Sequence, residues 1–185
     1  MLPGGYSSSM EVLPDIVGQD PVIVFCGLAG AESTRTRDHY YASPGNNFWE
    51  CAHLSGLTPR RLRPDEDGTV AAFGLGLTDL VGHWNHESNR GWVEIERLVV
   101  AVERWEPAFV AFTAKGTAAY AARALGHRAP GLGTAPWGIG RSEVFVLPGT
   151  SGANQRKDYD GRPNRLAWWR ELADLAAPEL GDRAG

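Results

Sequence analysis

Two carboxylates and one amide stand next to short apolar runs, in positions from which side chains can reach a ligand. Asp79 follows Leu77 and Thr78 at the carboxyl end of a short predicted strand, before the polar segment 82–91, and Glu32 follows the glycine turn after the β-branched run 21–26. A carboxylate in such a position can stabilise positive charge, and apolar neighbours change its pKa. Asn46 offers a hydrogen-bond donor and an acceptor on one amide. Asp79 is our first catalytic candidate, followed by Asn46 and Glu32, and the two histidines of 82–91 are further donors.

The chain lacks the common signatures of cofactor and metal sites. Neither G-x-G-x-x-G nor G-x-x-x-x-G-K-[ST] occurs, and a G-x-S-x-G elbow beginning at Gly149 fails because Ala153 stands where the second glycine is needed. Cys26 ends an apolar run and Cys51 follows two aromatic residues, so we interpret both as buried thiols. The five histidines are scattered, without an H-E-x-x-H pattern. We therefore expect no metal and no cofactor.

Hydrophobic patterning predicts strands and helices in alternation, and the polar segment 82–91 is predicted to be a loop. The predicted strands are 21–26, 77–81, 108–114 and 143–147, and the predicted helices are 46–55, 93–105, 117–125 and 166–176. Such alternation implies a parallel sheet covered by helices, with ligands bound at the carboxyl ends of the strands. The predicted fold class is therefore α/β, a three-layer α/β/α sandwich with a central four-stranded parallel sheet.

Length and composition are those of one globular domain. The chain has 185 residues, of which 43% are hydrophobic and 22% charged. We expect a loose N-terminal segment at 1–20, a folded domain at 21–177 and a C-terminal tail at 178–185. No apolar run has the length of a membrane span, and no basic segment precedes a hydrophobic one near the N-terminus. The expected location is cytoplasmic, with no membrane partner.

Charge is distributed unevenly along the chain. The net charge of −4 by itself argues against a nucleic-acid partner. Between 149 and 170, however, five basic residues stand against two aspartates, a local balance of +3. The sequence leaves open two interpretations, a solvated arginine-rich surface or one basic face that binds nucleic acid.

Five short motifs follow one another in a characteristic order. They read G-L-A-G-A-E-S at 27–33, Y-Y-A-S-P-G-N-N-F-W at 40–49, K-G at 115–116, W-G at 137–138 and V-L-P-G-T-S-G at 146–152. The series resembles the mismatch-specific uracil-DNA glycosylases, relatives of thymine-DNA glycosylase within the uracil-DNA glycosylase superfamily. Motifs of that family are G-I-N-P-G, A-H-P-x-N-x-F-W, G-K, W-G and V-L-P-N-P-S-G, in the same order. The resemblance covers residues 22–175.

The resemblance implies a fold, an activity and a partner. The implied strand order is 2-1-3-4. The implied activity is that of a monofunctional glycosylase in base excision repair. Such an enzyme flips uracil out of DNA and hydrolyses its N-glycosidic bond, leaving an abasic site that it can hold tightly. The implied partners are uracil-containing double-stranded DNA and the abasic product, bound by a monomer.

Two departures from the family fall at the expected chemistry. The family's first-loop asparagine, which positions the attacking water, falls on Ala29, and the asparagine that opens the last motif falls on Gly149. Catalysis would then rest on Asp79, with Asn46 and Glu32 as the other candidates. The alternative is a non-catalytic binder of damaged or abasic DNA, and a small-molecule α/β enzyme is a third interpretation.

The same resemblance suggests residues for base and DNA binding. The predicted base-binding residues are Tyr41, Ala29, Gly30 and Ser43, and the predicted DNA-binding residues are Ser151, Gly152, Ala153, Asn154 and Arg156. The ring of Tyr41 offers a surface on which a flipped pyrimidine can stack, and the amide of Asn46 can pair with uracil N3–H and O4. Both residues could instead merely shape a turn, with Asn46 capping the following helix.

Overall fold

A computed structural model describes residues 10–11, 13–28, 38–85, 90–93, 95–153 and 159–181, with the backbone alone described at 10–11, 81–85 and 90–93. The strands are β1 Met10–Glu11, β2 Ile23–Gly27, β3 Leu75–Asp79, β4 Val81–Asn85, β5 Arg90–Val93, β6 Phe109–Phe112, β7 Gly133–Ile139 and β8 Ser142–Val146. The helices are α1 Phe48–Leu54, a 3-10 helix Pro64–Phe73, α2 Ile95–Trp105, α3 Lys115–Ala124 and α4 Arg165–Gly181. None of these described helices combines the length and apolar character needed to span a membrane.

The central sheet has the order β3-β2-β6-β8-β7. Its first four strands pair in parallel, and their order is the expected 2-1-3-4. Every residue of β2, β3 and β6 is buried, because helices cover both faces of a parallel sheet. The predicted α/β class is therefore confirmed.

Two hydrophobic clusters fill the two sides of the sheet. One joins Phe25 and Phe145 to α1 and α4, with Trp169 fully buried between them. The other joins Cys26 and Phe112 to α2 and α3. Side chains of successive strand residues point to opposite faces, so neighbours such as Phe25 and Cys26 enter different clusters. The result is the expected three-layer arrangement, and both cysteines are free and buried, as predicted.

The sheet has five strands rather than the predicted four. Strand β7 pairs antiparallel with β8 at the sheet edge, and its register shifts between Thr134 and Gly138. Its buried and exposed residues mostly alternate, and Pro136 lies within it. Proline and a register shift are tolerated at a sheet edge, where one side of the strand forms no ladder. Strand β7 was therefore not predicted, because the composition of its segment is typical of a turn.

The prediction of a loop over 82–91 was wrong for most of its length. Strands β4 and β5 pair antiparallel there, and β1 joins β4 to make a second, three-stranded sheet. Parts of the segment 1–20, expected to be loose, are also paired, because β1 joins β4 and Ile16 forms an antiparallel bridge with Leu77 of β3 in the central sheet. At the other end of the chain, α4 continues to Gly181, past the expected start of the tail at 178. The 3-10 helix was also not predicted.

Candidate functional site

The site begins where β2 and β3 end side by side. Gly27 and Asp79 are register partners, and the N–H of Leu80 donates to the Gly27 carbonyl at 2.8 Å. A Cβ built on Gly27 would lie 2.6 Å from Oδ1 of Asp79 and 3.3 Å from the hydroxyl oxygen of Tyr41. The absence of a side chain at Gly27 therefore leaves room for both of these groups over the end of β2. Asp79 lies at the carboxyl end of a strand, as expected, but that strand is Leu75–Asp79 and not the predicted 77–81.

Asp79 is a buried carboxylic acid, with 6% of its surface exposed. Burial is the largest influence on its pKa, which rises from 3.8 to about 7. The negative charge of Asp15 raises the pKa further, and the positive charge of Arg97 lowers it. A carboxyl group with this pKa exchanges a proton near neutral pH, which suits a general acid or base.

Tyr41 adopts an unusual backbone conformation beside the carboxylate. Its φ is +53°, in the left-handed region that large side chains rarely occupy. Its ring stacks on Phe48 with a centroid distance of 3.8 Å and an interplanar angle of 3°. Its hydroxyl donates to Oγ1 of Thr113 at 3.2 Å, at the end of β6. One ring face is therefore covered by Phe48, so a base can stack only on the other.

Asp67 fastens the segment that carries Tyr41. Its carboxylate accepts from the backbone N–H of Tyr40 at 3.0 Å, and Nδ1 of His39 lies 3.3 Å from its other oxygen. The Tyr40 carbonyl in turn accepts from the indole N–H of Trp49 at 3.2 Å. Asp67 is 7% exposed, so these contacts replace the water that the buried carboxylate lost. They hold the left-handed turn at Tyr41 in place.

Asn46 shapes the start of α1. Its side-chain Oδ1 accepts from the N–H of Phe48 at 2.9 Å, and its own N–H donates to the Ser43 carbonyl at 3.0 Å. The amide oxygen thus satisfies the first N–H of α1 and shapes the turn, but the N-cap residue of the helix is Asn47 and not Asn46. Within the described part of the chain, its Nδ2 group has no hydrogen-bond partner. Asn46 can therefore donate to a ligand without giving up the turn.

Hydrogen bonds join the first loop, which precedes α1, to the loop that follows β8. The backbone N–H of Asn47 donates to the Thr150 carbonyl at 2.9 Å, and Nδ2 of Asn47 donates to the same oxygen at 3.5 Å. A Cβ on Gly152 would lie 2.8 Å from the carbonyl oxygen of Gly45, so the two backbones touch. Ser151, Gly152 and Ala153 are exposed beside this contact. The predicted DNA-binding loop therefore borders the predicted base-binding loop.

A salt bridge lies at the first residue of α3. Nζ of Lys115 lies 2.6 Å from Oδ1 of Asp160, whose other oxygen accepts from the backbone N–H of Leu132 at 3.1 Å. Asp160 has a φ of +54°, so its backbone also adopts a left-handed conformation. The lysine of the K-G motif is thus paired with a carboxylate.

Some of the predicted site residues lie close together, and others lie outside the described residues. Asp79, Tyr41, Asn46 and Ser43 lie on or beside the first loop and the end of β3. Outside the described residues lie Ala29, Gly30, Glu32, Asn154 and Arg156, together with the side chains of the two histidines of 82–91.

Sequence reasoning missed several residues that build the site. It did not single out Asp15, Thr113, Asn47 or Asp67, or give Arg97 a role. Thr113 carried a weak signal, since it is a polar residue near the end of an apolar run. Asp15 carried none, because it lies in a segment without periodicity.

Comparisons with known proteins bear on the family and the fold of this chain. The family model for the uracil DNA glycosylase superfamily matches residues 14–173. The fold is similar to the solution NMR structure of a "putative Uracil DNA glycosylase" from Methanosarcina acetivorans, with a TM-score of 0.62 and 20% sequence identity. That match covers 92% of this chain and 99% of the other. Identity this low compares folds alone, whereas the family match spans most of the sequence. The chain therefore belongs to the uracil DNA glycosylase superfamily.

Proposed function

We propose that this protein is a monofunctional glycosylase that excises uracil from double-stranded DNA, as its motifs suggest for the mismatch-specific branch. One observation carries the proposal: the buried Asp79 carboxyl group at the carboxyl edge of the sheet, next to Gly27 and the Tyr41 hydroxyl. With a pKa of about 7, a large fraction of this group is ionised at neutral pH. The carboxylate can then act on the attacking water, which the family's first-loop asparagine positions and which Ala29 cannot.

The chemical step needs one base and one leaving group. The ionised carboxylate of Asp79 accepts a proton from water as the water oxygen bonds to C1′ of the deoxyribose. The bond between C1′ and N1 breaks, and its electron pair leaves with the uracil. The proton then passes to the uracil anion, giving free uracil and an abasic site. The same carboxylate offsets the positive charge that develops on the sugar.

Binding roles follow from the contacts around the carboxylate. The face of the Tyr41 ring opposite Phe48 can stack with a flipped base, and Nδ2 of Asn46 can donate to uracil O4. The exposed tip Ser151, Gly152 and Ala153 can enter the duplex, since it borders the first loop. Glu32 remains the other acidic candidate, and Ala29, Gly30 and Ser43 remain proposed contacts to the base.

A uracil-containing, end-labelled duplex tests the proposal. After incubation, alkali converts each abasic site into a strand break. The wild-type protein should produce breaks at uracil, and Asp79→Ala should lower excision by at least about 100-fold, as expected for a positioned catalytic group. Asp174→Asn, an exposed aspartate of α4, is the control and should excise normally. Binding without cleavage by the wild type would favour a binder of damaged DNA, and neither activity would contradict both.

We propose further that the enzyme holds its abasic product. Arg156 follows the exposed loop in sequence and carries a charge suited to a phosphate beside the emptied sugar. Release of product would then limit turnover. Affinities for abasic and undamaged duplexes, measured at one salt concentration, test this. Equal affinities would refute it, and a preference that survives Arg156→Ala would remove Arg156 from the role.

A further inference from the structure

An ion pair is bound to the last two residues of β3. Nη1 of Arg97 donates to Oδ2 of Asp15 at 2.9 Å. Nη2 of the same guanidinium donates to the backbone carbonyl of Asp79 at 2.5 Å and to Oγ1 of Thr78 at 3.3 Å. The Thr78 hydroxyl donates to Oδ1 of Asp15 at 2.5 Å. One cation and one anion, from α2 and the N-terminal segment, therefore meet at the residue that carries the candidate carboxylate.

The ion pair of Arg97 and Asp15 lies at the surface and is not part of the hydrophobic core. The side chains of Arg97 and Asp15 are 33% and 27% exposed, and an ion pair at such a surface adds little to stability. Its contacts are instead directed at the end of β3, where Thr78 is fully buried and Asp79 nearly so. A charge held close to a buried ionisable group acts through low dielectric and is weakly screened.

We propose that Arg97 and Asp15 are positioning residues that set the charge of the Asp79 carboxylate with opposite signs. Arg97 favours the ionised carboxylate and Asp15 favours the neutral acid. Neither residue touches the substrate in this scheme. The role in excision rests on the proposed function, whereas the effect on the charge of Asp79 does not.

The other titratable groups that the structure describes near the carboxylate are neutral. Burial raises the pKa of Tyr41 and of the Cys26 thiol well above their usual ranges, and it raises the pKa of Tyr40 as well. All three are therefore neutral wherever Asp79 titrates. Among the described residues, Arg97 and Asp15 are the charged groups that act on the pKa of Asp79.

Carbon-13 NMR of the Asp79 side-chain carboxyl, assigned by its loss in Asp79→Asn, measures the effect without any substrate. Asp15→Asn should lower the pKa of Asp79 and Arg97→Met should raise it, each by about one unit for one nearby charge. Arg97→Lys keeps the positive charge and should restore most of the wild-type value. Arg104→Met, at an exposed position of the same helix, is the control and should leave the titration unchanged.

Opposite shifts support the inference, because loss of packing would not move one pKa in two directions. Shifts in the same direction, or none larger than about 0.3 unit, would overturn it. If Arg97→Met does not fold, Asp15→Asn alone decides, since a pKa that stays or rises contradicts the assigned sign.

The pH dependence of the excision rate distinguishes a failure of this inference from a failure of the proposed function. A pKa raised by one unit should slow excision by Arg97→Met about fivefold at pH 7, with recovery at pH 9. Asp15→Asn should speed excision about twofold at pH 7. If the NMR titration moves as expected and the pH profile of excision does not, the control of charge stands and the catalytic role of Asp79 is wrong.

Discussion

Replacing Asp79 by asparagine should make the protein more stable at alkaline pH while removing its excision activity. The carboxyl group has a pKa of about 7 in the folded state, against 3.8 as its ordinary value. The folded state therefore holds its proton more tightly than the unfolded state does. Its favourable contribution is fully present below the unfolded pKa and is lost as pH rises from about 4 to about 7.

The size of the effect follows from the shift in pKa. A difference of roughly three units corresponds to about 4 kcal/mol lost between strongly acidic and alkaline pH. Over the accessible interval from pH 5 to pH 8, linkage gives a loss of about 2 to 3 kcal/mol in the free energy of unfolding. Asparagine has a similar shape and no titrating group, so Asp79→Asn should not show this loss.

Urea unfolding of both proteins at pH 5 and pH 8 measures the difference directly. The free energy of unfolding of Asp79→Asn, relative to wild type, should be about 2 to 3 kcal/mol more favourable at pH 8 than at pH 5. The same substitution at the exposed Asp174 should give no pH-dependent difference. An advantage of Asp79→Asn that is equal at both pH values would refute the reasoning, because titration of Asp79 would then not be its source.

Three glycine and asparagine positions give further tests. Asn46→Ala should lower the free energy of unfolding by about 1 kcal/mol through loss of the turn contact, whereas Asn46→Ser should recover that stability in urea unfolding without recovering excision. Gly27→Ala puts a carbon 2.6 Å from the buried carboxylate oxygen, so excision should fall more than tenfold with a stability loss of about 1–3 kcal/mol. Gly152→Ala meets the Gly45 carbonyl at 2.8 Å and should weaken duplex binding in a gel-shift titration, whereas Gly68→Ala has open space and should not.

The excision assay also has a predicted pH profile. Activity that depends on the ionised Asp79 should rise with pH, reach half its maximum near pH 7, where half of the carboxyl groups have lost the proton, and level off at more alkaline pH. Single-turnover rates between pH 5 and pH 9 measure this dependence independently of product release. A rate that is constant across the interval would contradict the role of Asp79 as the base.

The four parallel strands could be predicted because each is a short apolar run that only a sheet covered on both faces can bury. The same reasoning placed Asp79 near the carboxyl end of its strand, although the strand itself begins and ends two residues earlier than predicted. The order of the motifs was sufficient to suggest the family. These features depend on local sequence, so they could be predicted without knowledge of the tertiary contacts.

Other features depend on how the whole chain packs, and only the tertiary structure decided them. The edge strand β7 has the composition of a turn, and β4 and β5 occupy a segment that reads as a polar loop. Asp15 lies 63 residues from Thr78 and 82 residues from Arg97 along the chain, yet it contacts both. A sequence pattern reports which side chains avoid water, but the charge of a buried carboxylate depends on which charged groups the packed chain brings close to it.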